Sequence, residues 1–583
     1  MTDRCADRQI VRSLKRYIPA LDWLRHYQAR YWIGDVTAGI IVASLLIPQS
    51  MGYALLAGLP PQIGLYASIA PPILYPLFGT SRVLAVGPVA VDSLMVAAAI
   101  ASLAAPDTPQ YLELAIALAC LVGVIEIGFG LLRLGFLVNF LSRSVISGFV
   151  SGAAIIIAFS QIKHLFGLTI PSTESFFVLL SNLIRALPSM NGITFMIGIL
   201  SIVILLYFNN PLVYQLKRLG WSDQKILPVS KSAPLLVLIV GTGLVWALGL
   251  DQVAAVRVVG SIPSGLPAIH WSVLNGAMLR SLLPPALAIA LVGYMEGFAG
   301  GQALASKRRE KIDANQELIA FGVSNLGASF LGGYPVTGGL SRSVVNFAAG
   351  ANTGLASIIT GLLIAVTVLF LTPLFYFLPQ ASLAAIIITA VYKLVDFATL
   401  KRMWTYDKAD AIAWIATFAA VLSLGVEKGI MLGALIALSL HLWRTSKPHI
   451  AIVGRLGESE HFRNELRYSV KTNPHVLAVR VDESLYFANA KYLESYLTHA
   501  IADRPEVKKI VLVCSAINVI DASALELLES LIADFRSLGI QFYFSEVKGP
   551  VMDKLKHIGF VNYLGPDHFF LSTDQAMREL AGI

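Results

Sequence analysis

Long apolar runs separated by short polar breaks cover the chain as far as Lys447, and beyond that point the pattern turns to short alternating segments. Runs able to cross roughly 30 Å of hydrocarbon fall near 35–56, 61–79, 88–104, 111–133, 143–166, 190–208, 232–250, 279–304, 315–332, 341–350, 354–377, 381–398, 409–425 and 428–446. They predict about 14 helical crossings, some of half length. The stretch 174–187 is more amphipathic and is expected to lie in the interface. Past Lys447, Val476–Val481, Lys509–Cys514 and Gln541–Phe544 read as strands, with helices over Asn489–Asp503 and Ser523–Leu538. This alternation predicts a small α/β domain. The expected organisation is an N-terminal arm 1–30, a membrane region 31–446, a linker 447–469 and an α/β domain 470–583.

Two of the apolar runs are interrupted in the same way. Arg82–Ser93 contains Gly87-Pro88-Val89-Ala90, and Leu331–Ser343 contains Tyr334-Pro335-Val336-Thr337-Gly338-Gly339-Leu340-Ser341-Arg342. Gly and Pro disfavour continuous helix, and extended backbone at membrane depth is tolerated only where protein or a watery cavity covers it. If each break leads into a helix, the backbone at Val89, Ala90, Thr337, Leu340 and Ser341 turns free N–H groups and positive dipole ends toward one point. Such a point attracts an anion, and paired interruptions in two halves of a membrane protein mark a transporter's substrate site.

Composition fits this picture: hydrophobic residues make up 56% and charged residues 14%, far from the soluble balance of about a half and a quarter. The net charge of +8 sits at the edges of apolar spans rather than in one basic stripe, which excludes a nucleic-acid partner as its explanation. Lys and Arg collect on alternate loops, among them Lys217, Arg218, Lys307, Arg308, Arg309, Lys401 and Arg402, whereas the intervening loops hold few, such as Arg185, Arg257 and Lys428. The bias predicts an even number of crossings with both termini cytoplasmic. It also runs the two broken segments in opposite directions, as an inverted repeat requires. The arm has no apolar core of the cleaved-signal kind and is expected to stay. Cys5, Cys120 and Cys514 are far apart and form neither a disulfide framework nor a metal site. No nucleotide motif, nucleophile–base pair or metal cluster appears, so no enzyme activity and no cofactor are expected.

The run Ile47-Pro48-Gln49-Ser50-Met51-Gly52-Tyr53-Ala54, followed by Ala57–Tyr66, resembles the first-helix signature of the SulP family of sulfate permeases and anion exchangers. The Gly87–Ala90 break, Leu340–Ser343 and a C-terminal domain similar to STAS domains agree with it. The resemblance implies an α-helical polytopic fold of two inverted seven-segment repeats, divided into a mobile core and a gate, often dimeric, with substrate between the third and tenth helices. It assigns substrate binding to Gln49 and Tyr53 on the first helix and to Ser341 and Arg342 at the start of the tenth. An acid at the position of Glu296 accompanies proton coupling in that family. Related regulatory STAS domains carry a phosphorylated hydroxyl just after the residue equivalent to Asp521, where this chain has Ala522, so the resemblance implies no phosphoswitch at this position.

Each candidate also has a plainer use. Gln49 and Tyr53, spaced i and i+4, share one helix face, and polar residues on such a face also serve packing. Arg342 can act on an anion through its field, snorkel to an interface, or pair with Glu296. Glu296 sits in the middle of an apolar span, where charge is costly and by default functional; it can carry a proton that offsets substrate charge, or it can partner Arg342. Asp92, one turn past Pro88, can assist a cation or proton, or bond within the core. Glu126 and Asp35 are expected to be structural. In the α/β domain Asp521 or Ser523 can cap the helix that follows.

These readings converge on a secondary active transporter in the plasma (inner) membrane that couples a small inorganic oxyanion, sulfate foremost, to protons by an elevator movement. Sodium-coupled bicarbonate or dicarboxylate transport and chloride exchange are the rivals on the same framework. A membrane-tethered sensor acting through the STAS-like domain is the rival from another class. Expected partners are the anion, a proton or sodium ion, the bilayer, a second copy of the chain, and a regulatory protein at the STAS-like domain.

Overall fold

The computed structural model describes residues 18–106, 108–139, 142–170, 176–209, 211–222, 226, 229–262, 265–270 and 276–581. Residues 1–17 of the basic arm, with Cys5, lie outside them. The rest of the arm carries a short helix, Ala20–Arg25, whose Trp23 Nε1 donates to the Pro76 carbonyl at 3.0 Å.

The apolar runs become fourteen labelled helices: α1 (Trp32–Leu56), α2 (Ala70–Phe78), α3 (Ala90–Ala101), α4 (Pro109–Leu131), α5 (Arg143–Leu165), α6 (Gly192–Asn209) and α7 (Ala233–Leu248), then α8 (Gly276–Arg308), α9 (Ala314–Phe330), α10 (Leu340–Ala348), α11 (Leu355–Val366), α12 (Gln380–Val391), α13 (Lys408–Leu424) and α14 (Val426–Ser446). Among the described residues eight helical stretches are long and apolar enough to cross a bilayer alone, and α3 is one of the shorter ones. The run 61–79 is divided into Pro61–Tyr66 and α2, each with proline in its first turn, where its missing N–H and fixed φ suit a helix start. Past Val366 the run 354–377 widens into a π-helical turn, Thr367–Leu371, and then tightens into a 3₁₀ turn begun by Thr372-Pro373. An amphipathic helix, Phe397–Tyr406, follows α12 where the hydropathy pattern read only a boundary. The interfacial stretch 174–187 is helical over Phe176–Ala186, and 174–175 lie outside the described residues.

Packing follows the two-repeat order. α1 packs on α11, and its repeat-mate α8 packs on α4; α4 packs on α9, and α11 on α2; α5 packs on α13, and α12 on α6. Exchanging each helix with the one seven places along therefore maps contacts onto contacts, which is what inverted-repeat packing means. The α4–α9 seam is closed by glycine: a Cβ on Gly123 would lie 2.8 Å from the Gly322 carbonyl oxygen, and one on Gly322 2.6 Å from that of Gly123. Only hydrogen fits at such a backbone crossing.

The chain divides into two compact units, Met1–Ala437 and Leu438–Ile583, with the division inside α14. In the second, six strands run in the order β4-β3-β5-β6-β7-β8: β3 (Ile450–Arg455), β4 (Phe462–Asn464), β5 (Val476–Val481), β6 (Lys509–Val513), β7 (Gln541–Ser545) and β8 (Phe569–Phe570). β5 to β8 are parallel, and β3 is antiparallel to both its neighbours. Helices α15 (Ala490–Ala502), α16 (Ala522–Ser537) and α17 (Gly549–His557) cover one face, and α18 (Thr573–Ala581) the other.

The stretch 447–469, expected as linker, is corrected by this sheet. It supplies β3 and β4, because Ala451 and Val453 pack with Ala576 and Met577 on one face while Ile452 joins the core on the opposite face. Arg455 at the end of β3 is buried and paired with Asp574 of α18.

Candidate functional site

The two broken segments meet. Val86–Gly87 (β1) and Thr337–Gly338 (β2) form an antiparallel ribbon with Val86 opposite Gly338 and Gly87 opposite Thr337, and Gly339 N donates to the Ala85 carbonyl at 3.0 Å. Pairing satisfies backbone that would otherwise be stranded within the bilayer. Gly87 and Thr337 each lie two residues before the residue that precedes its helix, Val89 for α3 and Gly339 for α10. Gly87 and Thr337 thus face each other from equivalent positions, so the repeat axis passes through this pair.

Both helices begin with no side-chain cap, leaving first-turn N–H groups directed out of the helix ends. Ser93 Oγ donates to the Val89 carbonyl at 2.7 Å and Ser343 Oγ to the Gly339 carbonyl at 2.8 Å. These serines hold equivalent places in the two repeats. Ser343 Oγ also accepts from Ala85 N at 2.9 Å, and Ser93 Oγ lies 3.1 Å from the Tyr334 hydroxyl. By the same equivalence Asp92 matches Arg342, so one position carries an acid in one repeat and a base in the other.

Arg342 turns back across the ribbon. Its Nη1 donates to the Pro88 carbonyl, its Nη2 donates to the Gly87 carbonyl at 3.1 Å, and its buried Nε has no partner. The expected alternative, an ion pair with Glu296, is not among the ion pairs of the described residues, although Arg342 and Glu296 are within electrostatic reach of each other and of Tyr53. The guanidinium therefore fastens one repeat's break to the other's helix and holds its charge at the ribbon.

α1 runs continuously through Pro48 and carries Gln49 and Tyr53, both more than nine-tenths buried. Tyr53 packs with Ala90, Leu56, Ala154, Ile157 and Ile387. The Thr337 hydroxyl donates to the Gly293 carbonyl at 2.6 Å, tying β2 to α8. Leu340 and Ser341 are exposed. Glu296 is one helical turn beyond Gly293 on α8, and its Oε2 is buried without a partner. Asp92 is buried, with Oδ1 unpartnered, and its Oδ2 would lie 3.0 Å from a Cβ on Gly293. Asp92 and Glu296 therefore stand near the same turn of α8 and act on one another electrostatically. The site joins uncapped helix starts, a fixed guanidinium and two carboxyls, a set able to hold an anion and carry a compensating proton.

Sequence reasoning missed Asn325 and Glu317, while Glu126, Asp35 and Asp521 hold the structural places expected of them. Asn325 donates to Glu126 Oε2 at 2.8 Å and accepts from Val336 N at 2.8 Å, so Glu126 steadies the residue that fixes the approach to β2. Glu317 accepts from the Tyr75 hydroxyl at 2.6 Å and from Thr80 N at 2.7 Å, locking the chain that leads into β1. An acid inside the apolar run 315–332 was the available signal for Glu317. Asp35 accepts from Asn352 N at 2.6 Å and from the Thr353 hydroxyl at 2.7 Å, a structural role. In the second unit Asp521 caps α16 through Ala524 N at 2.8 Å.

Residues 32–417 match the family model described as the sulfate permease family, and 467–576 match the STAS domain. The chain is 35% identical to the chloroplastic sulfate transporter 4.1 of Arabidopsis thaliana over 98% of its own length and 83% of the relative's. It is 36% identical to that plant's probable sulfate transporter 4.2, over 96% and 83%. Among solved structures, the murine solute carrier 26 family member A9 anion transporter in its inward-facing state superposes with a TM-score of 0.88 at 26% identity, over 98% of this chain and 94% of that one. The transmembrane domain of a cyanobacterium bicarbonate transporter superposes with a TM-score of 0.58 at 23% identity, over 71% and 98%. The chain belongs to the sulfate permease family and is a multi-pass membrane protein with a C-terminal STAS domain.

Proposed function

We propose that this member of an anion transporter family takes up sulfate, or a closely similar oxyanion, together with protons. The coarser activity, secondary transport of an inorganic anion by an elevator-type protein, follows from membership; the anion, the coupling ion and the site are the proposal. The anion rests between the starts of α3 and α10, bounded by Gln49 and Tyr53, with backbone N–H groups near Val89, Ala90, Leu340 and Ser341 as donors. Arg342 acts through its field, and Thr337 by holding β2. Glu296 carries the proton, with Asp92 as accessory. The protein works as a homodimer in the plasma membrane with both termini cytoplasmic, and its STAS domain receives a regulatory protein.

The observation that supports this reading is the β1–β2 ribbon, which pairs the segments leading into two uncapped helix starts and is spanned by the Arg342 guanidinium. Relatives named sulfate transporters support the choice of oxyanion. The test is accumulation of labelled sulfate in proteoliposomes under an inward proton gradient, with and without sodium. Proton-driven accumulation without sodium is expected. Bicarbonate flux that requires sodium would overturn the choice of anion and ion, and no flux of any oxyanion would leave the sensor reading.

A further inference from the structure

The starts of α3 and α10 are held by matching hydrogen bonds except at one place. Ser343, four residues past Gly339, accepts at Oγ from the backbone N of Ala85, which lies four residues before Val89. The repeat relation that pairs Val89 with Gly339 carries Ser343 onto Ser93 and Ala85 onto Pro335. Ser93 would therefore accept from the N–H of residue 335, and proline has none.

The Tyr334 hydroxyl fills the gap. It stands 3.1 Å from Ser93 Oγ, and because the single Ser93 hydroxyl proton goes to the Val89 carbonyl at 2.7 Å, the tyrosine is the donor. Both side chains are fully buried, so an acceptor left open here would keep its desolvation cost. The backbone on either side of Tyr334 is pinned: Gly333 N donates to the Ala328 carbonyl at 2.8 Å, and Val336 N donates to Asn325 Oδ1 at 2.8 Å. The ring shares an apolar cluster with Val91 and Met95 of α3. Its hydroxyl is within electrostatic reach of Tyr53, Arg342 and Asp92.

We propose that Tyr334 is a positioning residue for the anion site: its hydroxyl stands in for the N–H that Pro335 lacks and, through Ser93, fixes the start of α3, whose first-turn N–H groups face the anion. Each helix start is then held from the opposite repeat, α10 by a backbone donor and α3 by a side chain. The exchange leaves residue 335 free to be proline, whose fixed φ stiffens the approach to β2. The inference rests on the reading that the anion lies between the two helix starts.

The test uses the full chain in proteoliposomes and reads the half-saturating concentration of sulfate-for-sulfate exchange, with melting temperatures of the purified variants beside it. Tyr334→Phe keeps the ring and removes the donor, so it is expected to raise half-saturating sulfate about 5-fold or more and to change the maximal rate less. Pro335→Ala supplies an N–H at the place from which Ala85 serves Ser343. Alone it should stay close to the parent; added to Tyr334→Phe it should recover most of the lost affinity and melting temperature. In a Ser93→Ala background Tyr334→Phe should bring no further loss, since the hydroxyl then has no acceptor to act through. Unchanged sulfate dependence in Tyr334→Phe, a loss that Pro335→Ala does not restore, or losses from Tyr334→Phe and Ser93→Ala that multiply would each overturn the proposal. Should Pro335→Ala by itself disrupt the protein, the Ser93→Ala background decides. A parent chain that does not exchange sulfate would sink the sulfate reading alone; the melting temperatures then carry the test, with Pro335→Ala still required to restore what Tyr334→Phe loses.

Discussion

The Arg342 guanidinium, on the first turn of α10, donates to the carbonyl of Gly87 in the opposite repeat. Together with its bond to the Pro88 carbonyl, this supplies acceptors at a break in the membrane with the donors that a helix would have given them. A charge-assisted bond to such a group is worth about 1.5–3 kcal/mol, so the contact is structural and electrostatic at once. Arg342→Ala is expected to lower the melting temperature of the purified protein and to weaken sulfate binding about 10-fold or more. Arg342→Lys keeps the charge but not the fork, and should restore part of the binding and little of the melting temperature. Equal losses of binding in the two variants would show that the charge at this place does not matter.

Gly297 tests the ribbon's second support. A Cβ there would stand 2.5 Å from Phe321 Cζ, 3.0 Å from Thr337 Oγ1 and 3.1 Å from Gly338 N. Crowding of this kind costs about 1–3 kcal/mol, and it would push β2 away from α8. Gly297→Ala should therefore lower thermal stability and transport together, whereas Gly128→Ala, whose Cβ meets nothing within 4 Å, should change neither. Full activity in Gly297→Ala would mean that the approach of α8 to β2 is unimportant.

The sequence showed where the ribbon lies but not what fastens it. Gly87-Pro88 and Gly338-Gly339 announce breaks, and Glu296 announces itself as an acid in an apolar run, because those signals are local. Ser93 and Ser343 look like ordinary small polar residues until their place relative to each helix start is known. Asn325 and Glu317 meet partners in the other repeat, such as Glu126, Tyr75 and Thr80, and hydropathy carries no information about such distant pairings. The strand Ile450–Arg455 is hard to read from sequence for a different reason. It runs directly on from a membrane helix, and its alternation is blurred by burial on both faces.

The STAS domain offers a pH prediction outside the membrane. Burial works against the charge of Asp482, but donation from Arg480 Nε at 2.5 Å and Nη2 at 3.1 Å, with His449 at 2.7 Å, outweighs it and holds the carboxyl below its usual range. A depressed folded-state value means that the stabilisation is complete above the unfolded value of about 3.9 and is lost as pH falls through the folded one. The pair is partly exposed, which limits its worth to about 1 kcal/mol. Melting curves of a fragment beginning at Lys447 should show Asp482→Asn less stable than the parent at pH 7, with the gap closing toward pH 3. A gap that stays constant across that range would rule out the ion pair as its source.

Glu296 and Asp92 give the sharpest test of coupling. Asp92, on α3, faces the turn of α8 that carries Glu296, each acid has a buried oxygen lacking a partner, and the two act on one another electrostatically. Glu296→Gln keeps the shape and removes the ionisable group, so it should abolish proton-driven accumulation of sulfate while sulfate-for-sulfate exchange continues. Asp92→Asn should keep accumulation but alter its dependence on external pH, since Glu296 then titrates beside a neutral amide. Groups coupled through one network are non-additive by about 0.5–3 kcal/mol; if the electrostatic coupling of the two acids serves transport, the double variant should exchange sulfate at a rate differing from the product of the single effects by at least about 2-fold. Strict additivity would place the two acids in separate roles, and an unchanged proton requirement in Glu296→Gln would remove that residue from coupling altogether.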